Sequence, residues 1–158
     1  MHQYEIDPKD WAKVEALENP KVTEVIEKAI ELLKPKEVKI LTDNPTEIVR
    51  FREDTVNLVH EERKLATEGH TIHYDGYYDQ ARDKAHTAVL LPKGQTLSRG
   101  LNVVERESGL NEILGFMEGA MEGKIMVVRF FCLGPTNSEF SIPALQITDS
   151  FYVAHSED

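Results

Sequence analysis

The run KIMVVRFFCL occupies residues 124–133 and is the strongest β-strand signal in this 158-residue sequence. Apolar side chains fill most of it, and Gly134-Pro135 ends it, because proline cannot donate to a strand ladder and glycine favours turns. Immediately upstream, the apolar spacing over residues 110–121 predicts an amphipathic helix that Gly123 closes. This part of the chain is therefore predicted to form a helix, a strand and a turn in succession.

Helix and strand signals alternate along the rest of the chain. Asn19 and Pro20 suit the cap and first position of a helix that ends at residues 34–35, and Asn44-Pro45 suit the start of a second one. The further expected elements are a strand at 38–41, a helical segment at 46–66 with Glu47 in the capping-box position, extended chain at 71–74, strands at 87–91 and 145–147, and a helix that Asp149-Ser150 would cap and that begins at Phe151. The alternation predicts an α/β fold, a mixed β-sheet with flanking helices, in a single domain spanning residues 1–158.

The composition excludes several classes of protein. Apolar residues make up 41% and charged residues 29% of the chain, which is typical of soluble globular proteins. No apolar run approaches the roughly 20 residues of a membrane helix, and the net charge of −10 argues against nucleic-acid binding. The opening MHQYE has neither a basic leader nor an apolar signal segment, so we expect a cytoplasmic protein. The single cysteine, Cys132, excludes an internal disulfide and is expected to pack as a buried residue in its apolar run.

A glycine-rich stretch at residues 119–124, GAMEGK, superficially resembles a phosphate-binding loop. Its glycines are one residue too close, and Ile125 stands where a hydroxyl would hold magnesium. The stretch also runs from a helix into a strand, the reverse of the required order. The pattern therefore indicates the end of a helix rather than a phosphate site.

Two histidines and a carboxylate raise the question of a metal site. His73 and Asp75 would share one face of an extended segment, whereas His70 would point to the opposite face. This spacing favours exposed or hydrogen-bonded histidines, and no metal ligand is assigned.

One basic residue, Arg82, is the candidate for binding a substrate. It lies between Asp79 and Asp83, just before a predicted strand, in a polar segment that begins with Tyr77 and Tyr78. A guanidinium group there could hold a carboxylate through two parallel hydrogen bonds. The alternative is a surface arginine that pairs with a neighbouring aspartate, which contributes little.

Three blocks of the sequence resemble the GTP-dependent phosphoenolpyruvate carboxykinases. Residues 121–135, MEGKIMVVRFFCLGP, are similar to the family's M-x-G-R-x-M-Y-V-I-P-F-S-M-G-P, and residues 145–153, LQITDSFYV, to its I-E-L-T-D-S-P-Y-V. Upstream, residues 81–90, ARDKAHTAVL, resemble A-R-I-E-S-K-T-V-I-V with Arg82 and Thr87 in register. The blocks occur in the family's order and spacing.

The resemblance implies the N-terminal substrate-recognition lobe of an enzyme that converts oxaloacetate and GTP to phosphoenolpyruvate, CO2 and GDP in gluconeogenesis. Arg82 would bind a carboxylate of oxaloacetate or phosphoenolpyruvate. The parent enzyme would use GTP and a divalent metal, Mn²⁺ or Mg²⁺. The family's metal ligands, phosphate loop and guanine pocket would lie in the remainder of the polypeptide, so this segment is expected to contain no catalytic, cofactor-binding or metal-binding residue.

The sequence departs from the family pattern at two positions. Lys84 replaces an acidic residue that contacts the family's mobile lid, and Asn137 replaces a glycine. We expect residues 1–158 to be a truncated lobe, inactive alone, with an apolar patch exposed near residues 151–153. The alternatives are a stand-alone carboxylate-binding or regulatory domain derived from this fold, and a purely structural piece.

Overall fold

The computed structural model describes residues 3–77, 83, 87–98 and 100–156. Its elements are, in chain order, β1 (Glu5–Ile6), α1 (Pro8–Glu15), α2 (Pro20–Leu33), β2 (Glu37–Leu41), α3 (Pro45–Asn57), β3 (Arg63–Lys64), β4 (Thr71–Ile72), β5 (Val89–Leu91), β6 (Val103–Glu105), α4 (Arg106–Met117), β7 (Ile125–Leu133), β8 (Ile142–Thr148) and α5 (Phe151–His155). None of the helices in these described ranges is long and apolar enough to cross a membrane.

The main sheet contains four strands in the order β1-β2-β7-β8. β1, β2 and β7 run parallel, and β8 returns antiparallel to β7, so the predicted mixed sheet is confirmed. β7 pairs with β2 on one side and with β8 on the other, and it is nine residues long. Two short pairs form separate ladders, β3–β4 antiparallel and β5–β6 parallel.

Helices cover both faces of the main sheet. Because side chains alternate along a strand, neighbouring residues of β2 and β7 enter different cores. The core on the side of α1 and α2 contains Val14, Ile26, Ile30, Leu33, Val38, Ile40, Met121, Met126 and Val128. The core on the side of α3 and α5 contains Leu41, Phe51, Val127, Phe151 and Ala154. The predicted α/β fold with flanking helices is thus a three-layer arrangement.

Beyond the end of β1, two side chains of α1 bond to the backbone of β2. Asp10 accepts a hydrogen bond from the backbone N–H of Ile40 at 3.0 Å, and Lys13 donates to the Ile40 carbonyl at 2.9 Å. Lys13 also binds Asp10 and Glu47 at 2.6 and 2.8 Å. Burial would lower the pKa of Lys13, but the hydrogen bonds and charges of the two carboxylates outweigh it and raise that pKa above 10.5. The ion pairs of Lys13 therefore stabilise the fold fully below pH 10.5. This stabilisation is lost as the pH rises through the raised pKa of Lys13.

The predicted helix caps are confirmed. Asn19, Asn44 and Ser150 each accept a hydrogen bond from a backbone N–H in the first turn of α2, α3 and α5. Lys34 ends α2 in the left-handed conformation, with φ of 52°. The carboxylate of Glu47, by contrast, binds Lys13 across the structure, so its predicted capping-box role is replaced by a tertiary ion pair.

The predicted end of the second helix is wrong, and two elements near the start of the chain were not predicted. The helical segment expected over residues 46–66 ends at Asn57, and His60 then turns the chain with φ of 59°. Glu62, which would have faced solvent on a longer helix, is buried instead. β1 and α1 precede the first helix that the sequence predicted.

α4 lies four residues upstream of its predicted position. It runs over Arg106–Met117 rather than 110–121, because Glu105 accepts hydrogen bonds from the N–H groups of Glu107 and Ser108 and caps it. Beyond α4 the backbone N–H groups of Gly119 and Met121 donate to carbonyls at the end of α2. These tertiary bonds replace the helical ones that Gly119 and Met121 would have made.

Of the apolar patch expected near residues 151–153, Val153 is 38% exposed, but Phe151 is buried. Phe151 is 1% exposed, and its ring centroid is 4.4 Å from that of Phe51. α4 instead exposes a stripe at helical spacing, because its Gly109 face packs on β5 and β6. The stripe consists of Leu110, Ile113, Leu114 and Met117, each 38–46% exposed.

We predict that Phe151→Ala lowers the free energy of unfolding by about 3–5 kcal/mol, because it empties a buried ring site between α3 and β7. Val153→Ala on the same helix is the matched control, since Val153 is 38% exposed, and it should cost less than about 1 kcal/mol. Urea unfolding of the three proteins measures both values. Equal losses for the two variants would show that α5 is not held by the Phe51–Phe151 contact.

Candidate functional site

The predicted substrate residue, Arg82, lies outside the described residues, as do its neighbours Tyr78, Asp79 and Lys84. The structure does describe the chain on both sides of it, up to Tyr77 and from Thr87 onward. These two flanks show which parts of the fold hold the ends of the segment that carries Arg82.

The downstream flank is fastened to the β5–β6 pair. Both the backbone N–H and the hydroxyl of Thr87 donate to the carbonyl of Asp83, at 3.0 and 2.6 Å. The side-chain amide of Asn102 donates to the Thr87 carbonyl at 3.2 Å, and the Asn102 carbonyl accepts from Val89 N–H at 2.9 Å. Asn102 therefore binds both Thr87, two residues before β5, and Val89, the first residue of β5.

The upstream flank is fastened to α5 by a ring contact. The imidazole of His73 stacks on the ring of Tyr152, with 3.8 Å between centroids and 5° between planes. His73 Nδ1 also lies 2.8 Å from the carbonyl of Glu61, so this nitrogen carries the proton in that bond. Asp75 lies 3.4 Å from His73 Nε2 and forms an ion pair with it when the imidazole is protonated.

The carboxylate of Glu61 occupies the N-terminus of α5. It accepts hydrogen bonds from the hydroxyl of Ser150 at 2.5 Å, from Phe151 N–H at 3.0 Å and from Tyr152 N–H at 2.9 Å. A carboxylate is favoured there because the first N–H groups of a helix have no partner within the helix and carry partial positive charge. A segment distant in sequence thus caps the helix.

The next residue, Glu62, makes a second set of contacts with the same helix. Its side chain is 5% exposed, and it binds His155 Nε2 at 2.8 Å and accepts from the hydroxyl of Thr71 at 2.9 Å. His155 in turn meets the edge of the Tyr152 ring, with 5.7 Å between centroids. A carboxylate this deeply buried requires such partners, because burying it without them costs several kcal/mol.

Six side chains therefore connect the β3–β4 segment to α5, and we call them the α5 clasp. The α5 clasp consists of Glu61, Glu62, Thr71, His73, Tyr152 and His155. Its last member before Arg82 in the sequence is His73.

The other patterns singled out in the sequence do not form sites. His70 is exposed and apart from the His73–Asp75 pair, and no group of three or more His, Cys, Asp or Glu in the described ranges could hold a metal ion. The glycine-rich stretch is a turn, in which Gly119 and Gly123 have φ of 69° and 76° and Lys124 binds Asp149 at 2.5 Å. Cys132 lies partly buried in β7.

A buried cation was overlooked in the sequence. Arg129 is 5% exposed within β7, on the same face as Phe151, and its Nη1 donates to the carbonyl of Thr42 at 2.8 Å. Its signal in the sequence is a charge inside an otherwise apolar strand. The signal for Glu61 and Glu62 was weaker, since adjacent glutamates are usual on exposed helices.

The comparisons with known proteins agree on one family. The family model for the phosphoenolpyruvate carboxykinase N-terminal domain matches residues 24–158. A protein of Thermococcus sibiricus named phosphoenolpyruvate carboxykinase (GTP) is 50% identical over 152 residues, which are 96% of this chain and 24% of that protein. Proteins of the same name from Pyrococcus abyssi and Saccharolobus solfataricus are 50% and 38% identical, over 95% and 92% of this chain and 24% of each protein. The chain spans about a quarter of the length of these relatives.

We predict that Glu61→Gln lowers the free energy of unfolding by about 1–2 kcal/mol, because the amide keeps the size of the side chain but removes the charge at the start of α5. Glu27→Gln, at an exposed position of α2, is the control and should cost less than about 0.5 kcal/mol. Urea unfolding measures the difference. Equal stabilities of the two variants would contradict the capping role of Glu61.

Proposed function

Because this chain belongs to the phosphoenolpyruvate carboxykinase N-terminal domain family, we propose that it is the substrate-recognition portion of a GTP-dependent phosphoenolpyruvate carboxykinase. The observation that carries the proposal is the match of the family model over residues 24–158. The relatives that share half of its residues bear the name of that enzyme. Residues 1–158 would then be a single domain, the N-terminal lobe of a polypeptide about four times as long.

The proposed reaction is the conversion of oxaloacetate and GTP to phosphoenolpyruvate, CO2 and GDP. The bond between the carboxylate to be lost and the adjacent carbon breaks, and its electron pair forms the enolate of pyruvate. The enolate oxygen then takes the γ-phosphoryl group of GTP, and GDP leaves. Catalysis of such a transfer depends on holding the two reactants in line and on stabilising the charge that develops.

Within this scheme Arg82 orients the substrate. Its planar guanidinium would hold a substrate carboxylate through two parallel hydrogen bonds, which fix the plane of the carboxylate as well as its position. That orientation directs the enolate oxygen toward the phosphoryl donor. The anchoring of both flanks, at His73 and at Thr87, supports this role, because a positioning residue needs fixed ends.

GTP and the divalent metal, Mn²⁺ or Mg²⁺, are proposed to bind in the rest of the polypeptide. The described part of this chain has no cluster of ligands that fits a metal ion. The same remainder is the proposed partner of the exposed apolar stripe on α4 (Leu110, Ile113, Leu114 and Met117), because relatives that contain this segment continue for about three times its length. A role in gluconeogenesis and a cytoplasmic location are part of the same proposal.

We predict that the 158-residue chain alone has no carboxykinase activity and no micromolar affinity for GTP. Calorimetric titration with GTP in the presence of MnCl2 measures the affinity, with the full-length enzyme as the positive control. Micromolar binding by the short chain would place a nucleotide site within it. That result would contradict the proposal that GTP binds in the rest of the polypeptide.

We predict that Arg82→Lys in the full-length enzyme lowers kcat/KM for oxaloacetate by roughly ten- to a hundredfold with little change in the thermal midpoint. Lysine keeps the charge but cannot make the paired contact, and a charge-assisted hydrogen bond contributes about 1.5–3 kcal/mol. Arg52→Lys, at an exposed position of α3, is the control. A surface arginine paired only with an aspartate would contribute less than about 1 kcal/mol, so unchanged kinetics would remove Arg82 from the site.

A further inference from the structure

We infer that the outer edge of β8, the side that faces away from β7, is a strand-pairing surface. Its partner is the first β-strand after α5 in the full-length polypeptide, aligned parallel to β8. The inference rests on the proposal that residues 1–158 are the N-terminal lobe of a longer enzyme. It does not depend on Arg82 or on the reaction.

The two edges of the main sheet differ in their protection against pairing. One edge is β1, which has two residues, and the other is β8, which has seven. An unpaired edge strand invites pairing with another strand, and proteins protect such edges with short strands, charged residues or proline. β8, with the sequence IPALQIT, has no charged residue, and its one proline is the second residue. Residues 144–148 therefore lack the usual protection of an open edge.

The direction in which β7 forms its hydrogen bonds is set by its pairing with β2. In a β-strand, the backbone N–H and C=O groups of successive residues point alternately to the two sides. The carbonyl of Lys124, just before β7, accepts from Glu37 N–H on the β2 side. Even-numbered residues of β7 therefore bond toward β2, and odd-numbered residues bond toward β8.

The outward groups of β8 follow from its register with β7. Odd-numbered residues of β7 stand opposite even-numbered residues of β8, as Arg129 does with Gln146. The odd-numbered residues of β8 therefore point outward, which suits Pro143 because proline has no N–H to donate to a neighbouring strand. Two outward amides remain, those of Leu145 and Ile147, and no other strand in the described ranges pairs on this side.

The side chains of the same two residues also favour an added strand. Leu145 and Ile147 pack against the core on the side of α1 and α2, but they are only partly buried there. A further strand beside β8 would remove more of this apolar surface from water, in addition to pairing with the backbone.

The path of the chain after β8 selects the partner. A strand–helix–strand connection between parallel strands of one sheet is right-handed in about 98% of cases. The connection from β1 to β2 crosses one face of the sheet through α1 and α2, and it steps toward β7 and β8. The chain leaves β8 through α5 on the opposite face, and β8 runs opposite to β1 and β2.

These two reversals cancel. Inverting both the strand direction and the face of the helix leaves the direction of a right-handed step unchanged, so the step after α5 moves past β8 and away from β7. The next parallel strand therefore lies on the outer edge of β8. The relatives contain enough chain for it, since this chain spans 24% of their length, and a strand–helix–strand unit needs about 30 residues or more.

The first test is hydrogen exchange in the full-length wild-type enzyme, measured by mass spectrometry with residue-level fragmentation. We expect the amides of Leu145 and Ile147 to exchange at least about a hundredfold more slowly than in an unstructured peptide, because a hydrogen-bonded amide exchanges when its strand opens. The amide of Gln146, which faces β7, is the internal control for a paired position. Rapid exchange at Leu145 and Ile147 beside a protected Gln146 would overturn the inference.

The second test identifies the partner of β8 in the full-length enzyme. Ile142, the first residue of β8, is 61% exposed, so its replacement by the photoreactive p-benzoylphenylalanine is expected to leave the fold intact. Illumination should cross-link it to a segment within about 40 residues after residue 158. The same replacement of Val25, which is 49% exposed on α2, is the control and should not reach that segment. Cross-links from position 142 only to other parts of the chain, or only between two copies, would overturn the assignment.

Failure of the proposed function is distinguishable from failure of this inference. Carboxykinase activity of the same wild-type preparation tests the function, whereas hydrogen exchange requires no turnover. An inactive protein with protected Leu145 and Ile147 amides would contradict the function and support the pairing. An active enzyme in which both amides exchange rapidly would contradict the pairing alone.

Discussion

The burial of β7 on both faces is the constraint on which the rest of the structure depends. Met126, Val127 and Val128 are each 0% exposed, so successive side chains of one strand need cover on opposite sides. α1 and α2 cover one side, and α3 and α5 cover the other. On the side of α3 and α5, part of this cover comes from a helix of only five residues, α5. A helix this short is not stable by its own hydrogen bonds, and it requires contacts from elsewhere in the chain.

Those contacts connect the core to the candidate site. Glu61 caps α5 and so fixes the direction in which Phe151 enters the core. The same cap presents the ring of Tyr152 to His73. The buried side of α5 therefore packs against β7. Its other side contacts His73, in the segment upstream of Arg82.

The elements that the sequence predicted correctly depend on local signals. β2 and β7 follow from apolar runs, and the helix caps at Asn19, Asn44 and Ser150 follow from residue type. The errors occur where distant contacts outweigh local preference, as at residues 58–66 and 118–121. The contacts of Glu61 and Glu62 with α5 join residues about ninety positions apart, and periodicity carries no information about them. The family and the role of Arg82 came from the resemblance, and that role remains a prediction.

The energetics of the α5 clasp favour a positional role over a stabilising one. Burying Glu62 removes its carboxylate from water, and the bonds from His155 and Thr71 roughly offset that cost rather than exceed it. An arrangement that left the carboxylate without these partners would be several kcal/mol less favourable. The contacts of Glu62 therefore contribute little net stability, but they strongly disfavour alternative placements of the β3–β4 pair.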